Sequence, residues 1–339
     1  MWTTKKPINI HSIKKILIIQ FEPFGEVFLT SAILEPINKK IPNAEIYFLT
    51  KEPYHITIHS HPFLDKILKI KAGRFWKNII NNTKLFKFIY DNKFDLIIDQ
   101  QNNLLSHIIC LISKATIKIG YQNNLCKYCY NYHIIPSESQ YKAIQKFDLL
   151  QPLGISNENW RFYVTISQKS EKYIYDWLEK NDLDTKKFIV FSPGSPFISK
   201  QWNLKYYSLL GDLIFEKYHL PVVLLWAENE YIDCQYIYDN MKHKPIIAPS
   251  TTINQALALL NKTEILICND GGINHLSCAT ETKTIAIFGT TNPDIWSPAI
   301  IFEHHHHLYK ENFPSDNDDS FGISPHDVLN KIDAIINIT

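Results

Sequence analysis

Charge of one sign is in short supply: 35 Lys and Arg stand against 34 Asp and Glu, a net charge of +1. Without a positive excess no global field points to a nucleic-acid partner, and none is expected. Long apolar runs are also missing. The N-terminal run Ile16–Ile19 is too short for a signal-peptide core, and no stretch approaches the roughly 18 apolar residues of a bilayer span. We therefore expect a cytoplasmic chain, soluble or peripheral to a membrane. The GxxxxGK[ST] spacing of a Walker A loop is absent. Cys126 and Cys129 form one C-x-x-C pair without a second pair at zinc spacing, so no metal site is expected there. Most of the six cysteines lie in apolar segments, where a reduced, core-filling thiol is the ordinary reading.

What is present fits an ordinary globular protein. The 339 residues are 45% hydrophobic and 20% charged, enough for two domains. Short, continuously apolar runs alternate with longer helical patterns. Strands are expected at 15–21, 44–50, 66–70, 95–100 and 116–120, with helices at 27–40, 75–91 and 103–113. The pattern restarts with strands at 188–192, 221–227, 245–249, 264–270 and 283–289, and helices at 204–218, 252–261 and 272–280. Continuous rather than alternating apolar strands belong to parallel sheets covered on both faces. Two such series predict an α/β chain of two doubly wound domains, divided between Gly154 and Lys187. Ligands of such sheets sit at the carboxyl ends of strands, so the polar residues there are the candidates.

After the first strand, Gly25 permits a tight turn and Glu26 falls near a helix start. The helix dipole favours a carboxylate there, whether or not it has chemistry to do. After the strand at 188–192, Ser192-Pro193-Gly194-Ser195-Pro196 leads to Lys200. Glycine, hydroxyls and one ammonium ahead of a helix suit a phosphate; an ordinary loop with a solvated lysine reads the same. Glu230 follows the strand at 221–227, where an acid can hold ribose hydroxyls or merely suit a helix start. Asp270-Gly271-Gly272 would let a bound group approach the backbone, with His275 one turn on; Asp270 could equally cap the helix.

Other features carry less. Four adjacent imidazoles, His304 to His307, point in different directions and make a poor single metal site. Asp316-Asn317-Asp318 matches a DxD string but lies in a polar loop. The basic–aromatic clusters at 74–77 and 127–130 suit a headgroup or sugar surface as well as a core with a lysine rim.

Taken together, these segments resemble the lipopolysaccharide heptosyltransferases, glycosyltransferase family 9. The resemblance is carried by KILIIQFEPFGEVFLTSAILEPINKKIPNAEIYFLT, by SPGSPFISKQWNLKYYSLL, and above all by NDGGINHLSCATETKTIAIFGTTNPDIWSP. It implies a GT-B fold, with two Rossmann-like domains facing a cleft: residues 1–165 binding the acceptor and 166–339 the donor. It implies an inverting, metal-independent transfer of heptose or a related sugar from a nucleoside-diphosphate donor, ADP-linked in the family. The acceptor would be lipopolysaccharide core or another surface glycan at the cytoplasmic face of the inner membrane, and no cofactor is implied. Glu26 becomes the counterpart of the catalytic base and Lys200 a donor phosphate ligand. Ser195 would add a hydroxyl near the phosphates and Glu230 would hold ribose. Thr251 would lie towards adenine, and Asp270, Gly271, Gly272 and His275 would line the diphosphate and sugar. Two positions depart from the family pattern: Glu26 replaces an aspartate and Gly271 a threonine. The alternative reading is a catalytically silent nucleotide-sugar-binding protein that kept the fold.

Overall fold

The structure is a computed structural model that describes residues 8–71, 82–122, 128–138, 140–185, 187–311 and 319–336. The chain forms two compact units that divide between Val164 and Thr165. Among the described residues no helix is long and apolar enough to cross a membrane.

In the first unit β1 (Lys15–Ile19), β2 (Glu45–Lys51), β3 (Lys66–Ile70), β4 (Leu96–Asp99), β5 (Ile117–Tyr121) and β6 (Tyr132–Ile134) form one sheet, ordered β3-β2-β1-β4-β5-β6. Every pairing is parallel, with Ile16 opposite both Ile46 and Leu96. Residues 16–19 are fully buried, the reason this strand reads as an unbroken apolar run. The helices are α1 (Phe24–Thr30), α2 (Leu34–Lys40), α3 (Thr83–Asn92), α4 (Leu104–Ile112) and the short α5 (Lys142–Gln145). The expected helix over 27–40 is broken by a 3-10 turn, Ser31–Ile33. Thr30 and Ser31 hydroxyls donate back to the carbonyls of Glu26 and Phe28, and Pro36 lacks the N–H that would continue the ladder. Residues 75–81 of the expected second helix lie outside the described residues.

The second unit repeats the winding. Its strands are β7 (Ile189–Ser192), β8 (Val222–Leu224), β9 (Ile246–Ile247), β10 (Ile265–Asn269), β11 (Lys283–Ile287) and β12 (His305–Leu308), ordered β12-β11-β10-β7-β8-β9 and all parallel. Its helices are α6 (Gln168–Lys180), α7 (Leu204–Tyr218), α8 (Tyr231–Asn240), α9 (Ile253–Leu260), α10 (Gly272–Leu276), α11 (Pro293–Trp296) and α12 (Pro325–Ile336). Helix α7 shows how local sequence makes an element. Asn203 caps it by accepting from the backbone N–H groups of Lys205 and Tyr206. Tyr207, Leu210 and Ile214 form its buried stripe, packed with Phe191, Ile267 and Ile287 of the sheet and Val328 and Ile332 of α12. His219, at φ 55, ends it.

In each unit the strand order reverses at one place, beside β1 and β4 in the first and beside β7 and β10 in the second. The carboxyl ends of these four strands carry Glu26, Gln101, Lys200 and Asp270.

Candidate active site

In the second unit the loop after β7 is tied down before it reaches Lys200. Asn269, the last residue of β10, donates its amide to the carbonyls of Pro193 (2.7 Å) and Gly194 (3.2 Å). Its Oδ1 accepts from the Trp202 backbone N–H (3.0 Å) and the Tyr207 hydroxyl (3.2 Å). Gln201 donates to the Pro193 carbonyl and to Asp233. The fully buried Trp202 indole donates to the carbonyls of Ser320 and Ile323. These bonds fix both ends of the segment 193–202, so the 3-10 turn Ile198–Lys200 projects from a rigid base.

From that turn the Lys200 ammonium lies 2.7 Å from Oδ2 of Asp270, whose side chain is 2% exposed. The same oxygen accepts the Thr291 hydroxyl at 2.7 Å. The Trp296 ring lies 5.5 Å from the ammonium and is also in ring contact with His275. Asp270 does not cap α10: Gly271 is the cap residue, with no side-chain hydrogen bond. A Cβ at Gly272 would meet nothing within 4 Å, and one at Gly271 only the Asn269 carbonyl at 4.0 Å. A bound group therefore has room against this turn. His275 is buried, 4% exposed.

The Gly194 position is filled by a neighbour. A Cβ there would lie 2.3 Å from the Glu230 carboxyl carbon, so only glycine leaves this acid its place. Glu230 accepts the Ala227 N–H at 3.0 Å. Burial pushes its carboxyl above the ordinary range, opposed by that bond and assisted by Asp233. The Ser195 hydroxyl accepts the Phe197 N–H at 3.2 Å. Thr251 sits one residue before the Thr252–Gln255 capping box of α9. Among the described residues no hydrogen bond or ion pair joins Thr251 or Glu230 to the Lys200–Asp270 pair. The second unit thus brings Lys200, Asp270 and the glycine turn together, with His275 beside Trp296. Glu230 and Thr251 stand in the two neighbouring loops.

In the first unit Glu26 lies in the first turn of α1. Gln101, just past β4, steadies the approach to that helix, accepting from the Phe21 N–H (2.5 Å) and donating to Glu22 (2.8 Å). Glu26 Oε2 lies 2.5 Å from the ammonium of Lys146.

Sequence reasoning passed over Asn269, Thr291, Trp296 and Lys146. Asn269 had a visible signal, a polar residue closing an apolar strand, whereas the others act through partners distant in sequence. The last three histidines of the tetrad open β12, paired to β11 through Thr284–His305 and Ala286–His307, and His304 precedes it. Among the described residues no group of three or more His, Cys, Asp or Glu could hold a metal. Cys110, Cys234, Cys268 and Cys278 are buried free thiols, while Cys129 is disulfide-bonded. Cys126, the DxD string at 316–318 and the cluster at 74–77 lie outside the described residues.

The profile of glycosyltransferase family 9 (heptosyltransferase) matches residues 82–310. The chain belongs to glycosyltransferase family 9. The match includes Lys146 and the whole set from Ser195 to His275, and begins after Glu26. Lipopolysaccharide heptosyltransferase 3 of Escherichia coli K12 is 24% identical over 288 residues, 81% of this chain and 82% of that protein. Among solved structures, a family 9 glycosyltransferase from Veillonella parvula superposes with a TM-score of 0.89 at 18% identity, covering 98% and 99% of the two chains. The ADP-heptose lipopolysaccharide heptosyltransferase II of E. coli gives 0.79 at 17% identity, covering 95% and 98%. This family 9 chain has the α/β, two-domain GT-B fold.

Proposed function

We propose that this glycosyltransferase moves a heptose or related sugar from an ADP-linked donor to lipopolysaccharide core or a similar surface glycan, with inversion at the anomeric carbon. Residues 166–339 would hold the donor and residues 1–165 the acceptor. The observation that carries the reading is the Lys200–Asp270 pair at 2.7 Å, at the carboxyl end of the sheet beside a glycine turn with open space next to it. Asp270, Thr291 and the Trp296 ring set the ammonium's position, which is what a preorganised anion ligand needs.

In the proposed step the Glu26 carboxylate takes the proton of an acceptor hydroxyl. That oxygen bonds to the donor's anomeric carbon from the face opposite the leaving group. The bond from this carbon to the diphosphate oxygen breaks, and its electron pair leaves with ADP. Lys200, with the backbone N–H groups of Gly271 and Gly272, would stabilise the charge gathering on the diphosphate. Ser195 would add a hydroxyl to the phosphates, Glu230 would take the ribose hydroxyls and Thr251 would lie near the base. His275, beside Trp296, would line the sugar. With the leaving charge met in this way no metal ion is called for, so turnover should survive a chelator. A glycolipid acceptor would bring the chain to the cytoplasmic face of the inner membrane.

The test is thermal unfolding with ADP, UDP and GDP, followed by transfer from ADP-heptose to truncated lipopolysaccharide. A ligand at about 100 times its Kd stabilises the folded form by about 2.7 kcal/mol, so ADP should raise the melting temperature most. Lys200→Ala should remove that rise. An unchanged rise in this variant would overturn the donor-site reading. Stabilisation by ADP without any transfer would favour the silent binding protein instead.

A further inference from the structure

Lys146 meets Glu26 from 120 residues along the chain. It opens the 3-10 helix Lys146–Leu153, which follows α5 without a break. Its side chain is only 8% exposed, against 22% for Glu26. The backbone here is held on two sides: the Lys146 carbonyl accepts the Gln100 amide (2.7 Å), and the Gln145 carbonyl accepts the Tyr121 hydroxyl (2.9 Å). A second ammonium, Lys142, donates to Gln145 at 2.8 Å. Burial lowers its pKa, with Glu26 opposing the shift and Lys146 adding to it.

Burying an ammonium for an ion pair is a weak way to gain stability, because desolvation offsets the attraction. The helix start already favours a carboxylate at Glu26 without a partner. The arrangement does supply orientation. Glutamate has one more rotatable bond than the aspartate of the family pattern, and a cation on Oε2 restrains it.

We propose that Lys146 is a positioning residue for Glu26, its ammonium fixing the carboxylate at the start of α1 in the orientation that receives the acceptor's proton. The inference rests on the reading of Glu26 as the base. Among the described residues, Lys146 on the 3-10 helix pairs with this carboxylate, and Lys142 on α5 and Tyr121 on β5 feel its charge. Burial raises the Tyr121 phenol, with Asp148 and Glu26 adding to the effect. On the 3-10 turn Tyr54–Ile58 packed beside α1, Tyr54 lies edge-on against Phe24. Burial lowers the His55 pKa, with Lys69 and His59 adding to the effect and Glu52 opposing it.

The experiment is steady-state kinetics across pH with ADP-heptose and truncated lipopolysaccharide, on Lys146→Met, Lys146→Arg, Glu26→Asp and Glu26→Gln. In Lys146→Met the loss of the cation should move the acid midpoint of kcat/KM up by about 1–3 pH units. Its kcat should fall roughly 10- to 100-fold through loss of orientation, with donor KM unchanged. Lys146→Arg keeps the charge and should recover most of that kcat. Glu26→Asp withdraws the carboxylate from the ammonium by roughly 1–1.5 Å and should move the acid midpoint the same way, even if Lys146→Met fails to fold. If Glu26→Gln is inactive while both the Met and the Asp variants keep the wild-type acid limb, the positioning role is wrong and the base reading stands. If Glu26→Gln turns over normally, the base reading fails and takes this inference with it.

Discussion

Removing the Asn269 side chain tests whether the donor loop is held as described. In Asn269→Ala the Trp202 N–H and the Tyr207 hydroxyl lose their common acceptor, and both residues are 0% exposed. The Pro193 carbonyl keeps its bond from Gln201, and the carbonyl of half-buried Gly194 can turn to water. Two buried polar groups therefore lose their partner, at about 1–3 kcal/mol each, so the second unit should lose ~2–6 kcal/mol. With a urea slope of about 2 kcal/mol per molar, the midpoint of that unit should fall by about 1–3 M. Tyr207→Phe alone should cost about 1 kcal/mol, and the double variant less than the sum, because the two share one bond. Urea unfolding gives the energies, and hydrogen exchange over residues 193–203 gives the location. A loss below about 1 kcal/mol, or unchanged exchange in that segment, would refute the claim that Asn269 fixes the loop.

Three further outcomes are expected. Gly194→Ala should fold, because the clash is with the end of a flexible side chain, but displacement of Glu230 should weaken ADP binding roughly tenfold, about 1.4 kcal/mol by calorimetry. Burial brings the His61 pKa down to about 4, with Glu35 opposing. It brings His305 down to about 3, with His304, His275 and His306 adding to the effect. Both rings are neutral in the folded chain but take a proton near pH 6.5 when unfolded. Their stabilisation is therefore present above that pH and lost as pH falls towards 4 and 3, by at most about 1.4 kcal/mol per unit each. Denaturant titrations of His61→Gln and His305→Gln should show shallower acid slopes, and slopes equal to wild type would contradict the burial argument. Asp270→Asn should keep the fold, yet release Lys200 and reduce kcat, which transfer assays and urea unfolding would separate.

Most of the two sheets was legible in the sequence because their inner strands are buried on both faces and read as unbroken apolar runs. One edge strand of each sheet was not. Tyr132–Ile134 has three residues of mixed character, and His305–Leu308 presents imidazoles where an apolar run would be sought. The last described helix, Pro325–Ile336, also went unanticipated, although its buried Val328, Leu329, Ile332 and Ile335 follow helical spacing. Lys200 and the turn at Asp270 could be found because each follows a strand end. What joins them could not: the ion pair spans 70 residues and that of Glu26 spans 120, so neither leaves a local pattern. The alternative cap role of Asp270 is not realised: its carboxylate takes Lys200 and Thr291 from two other loops, and Gly271 stands at the helix cap.

The neutrality of the Lys200–Asp270 couple also bears on kinetics. Beyond a Debye length of about 8–10 Å an approaching anion meets a small dipole rather than a positive charge, on a chain whose total is only +1. Diffusional encounter with a doubly charged nucleotide should therefore gain little from long-range attraction. Its on-rate should change only slightly between low and physiological ionic strength, leaving selectivity to how slowly the nucleotide departs.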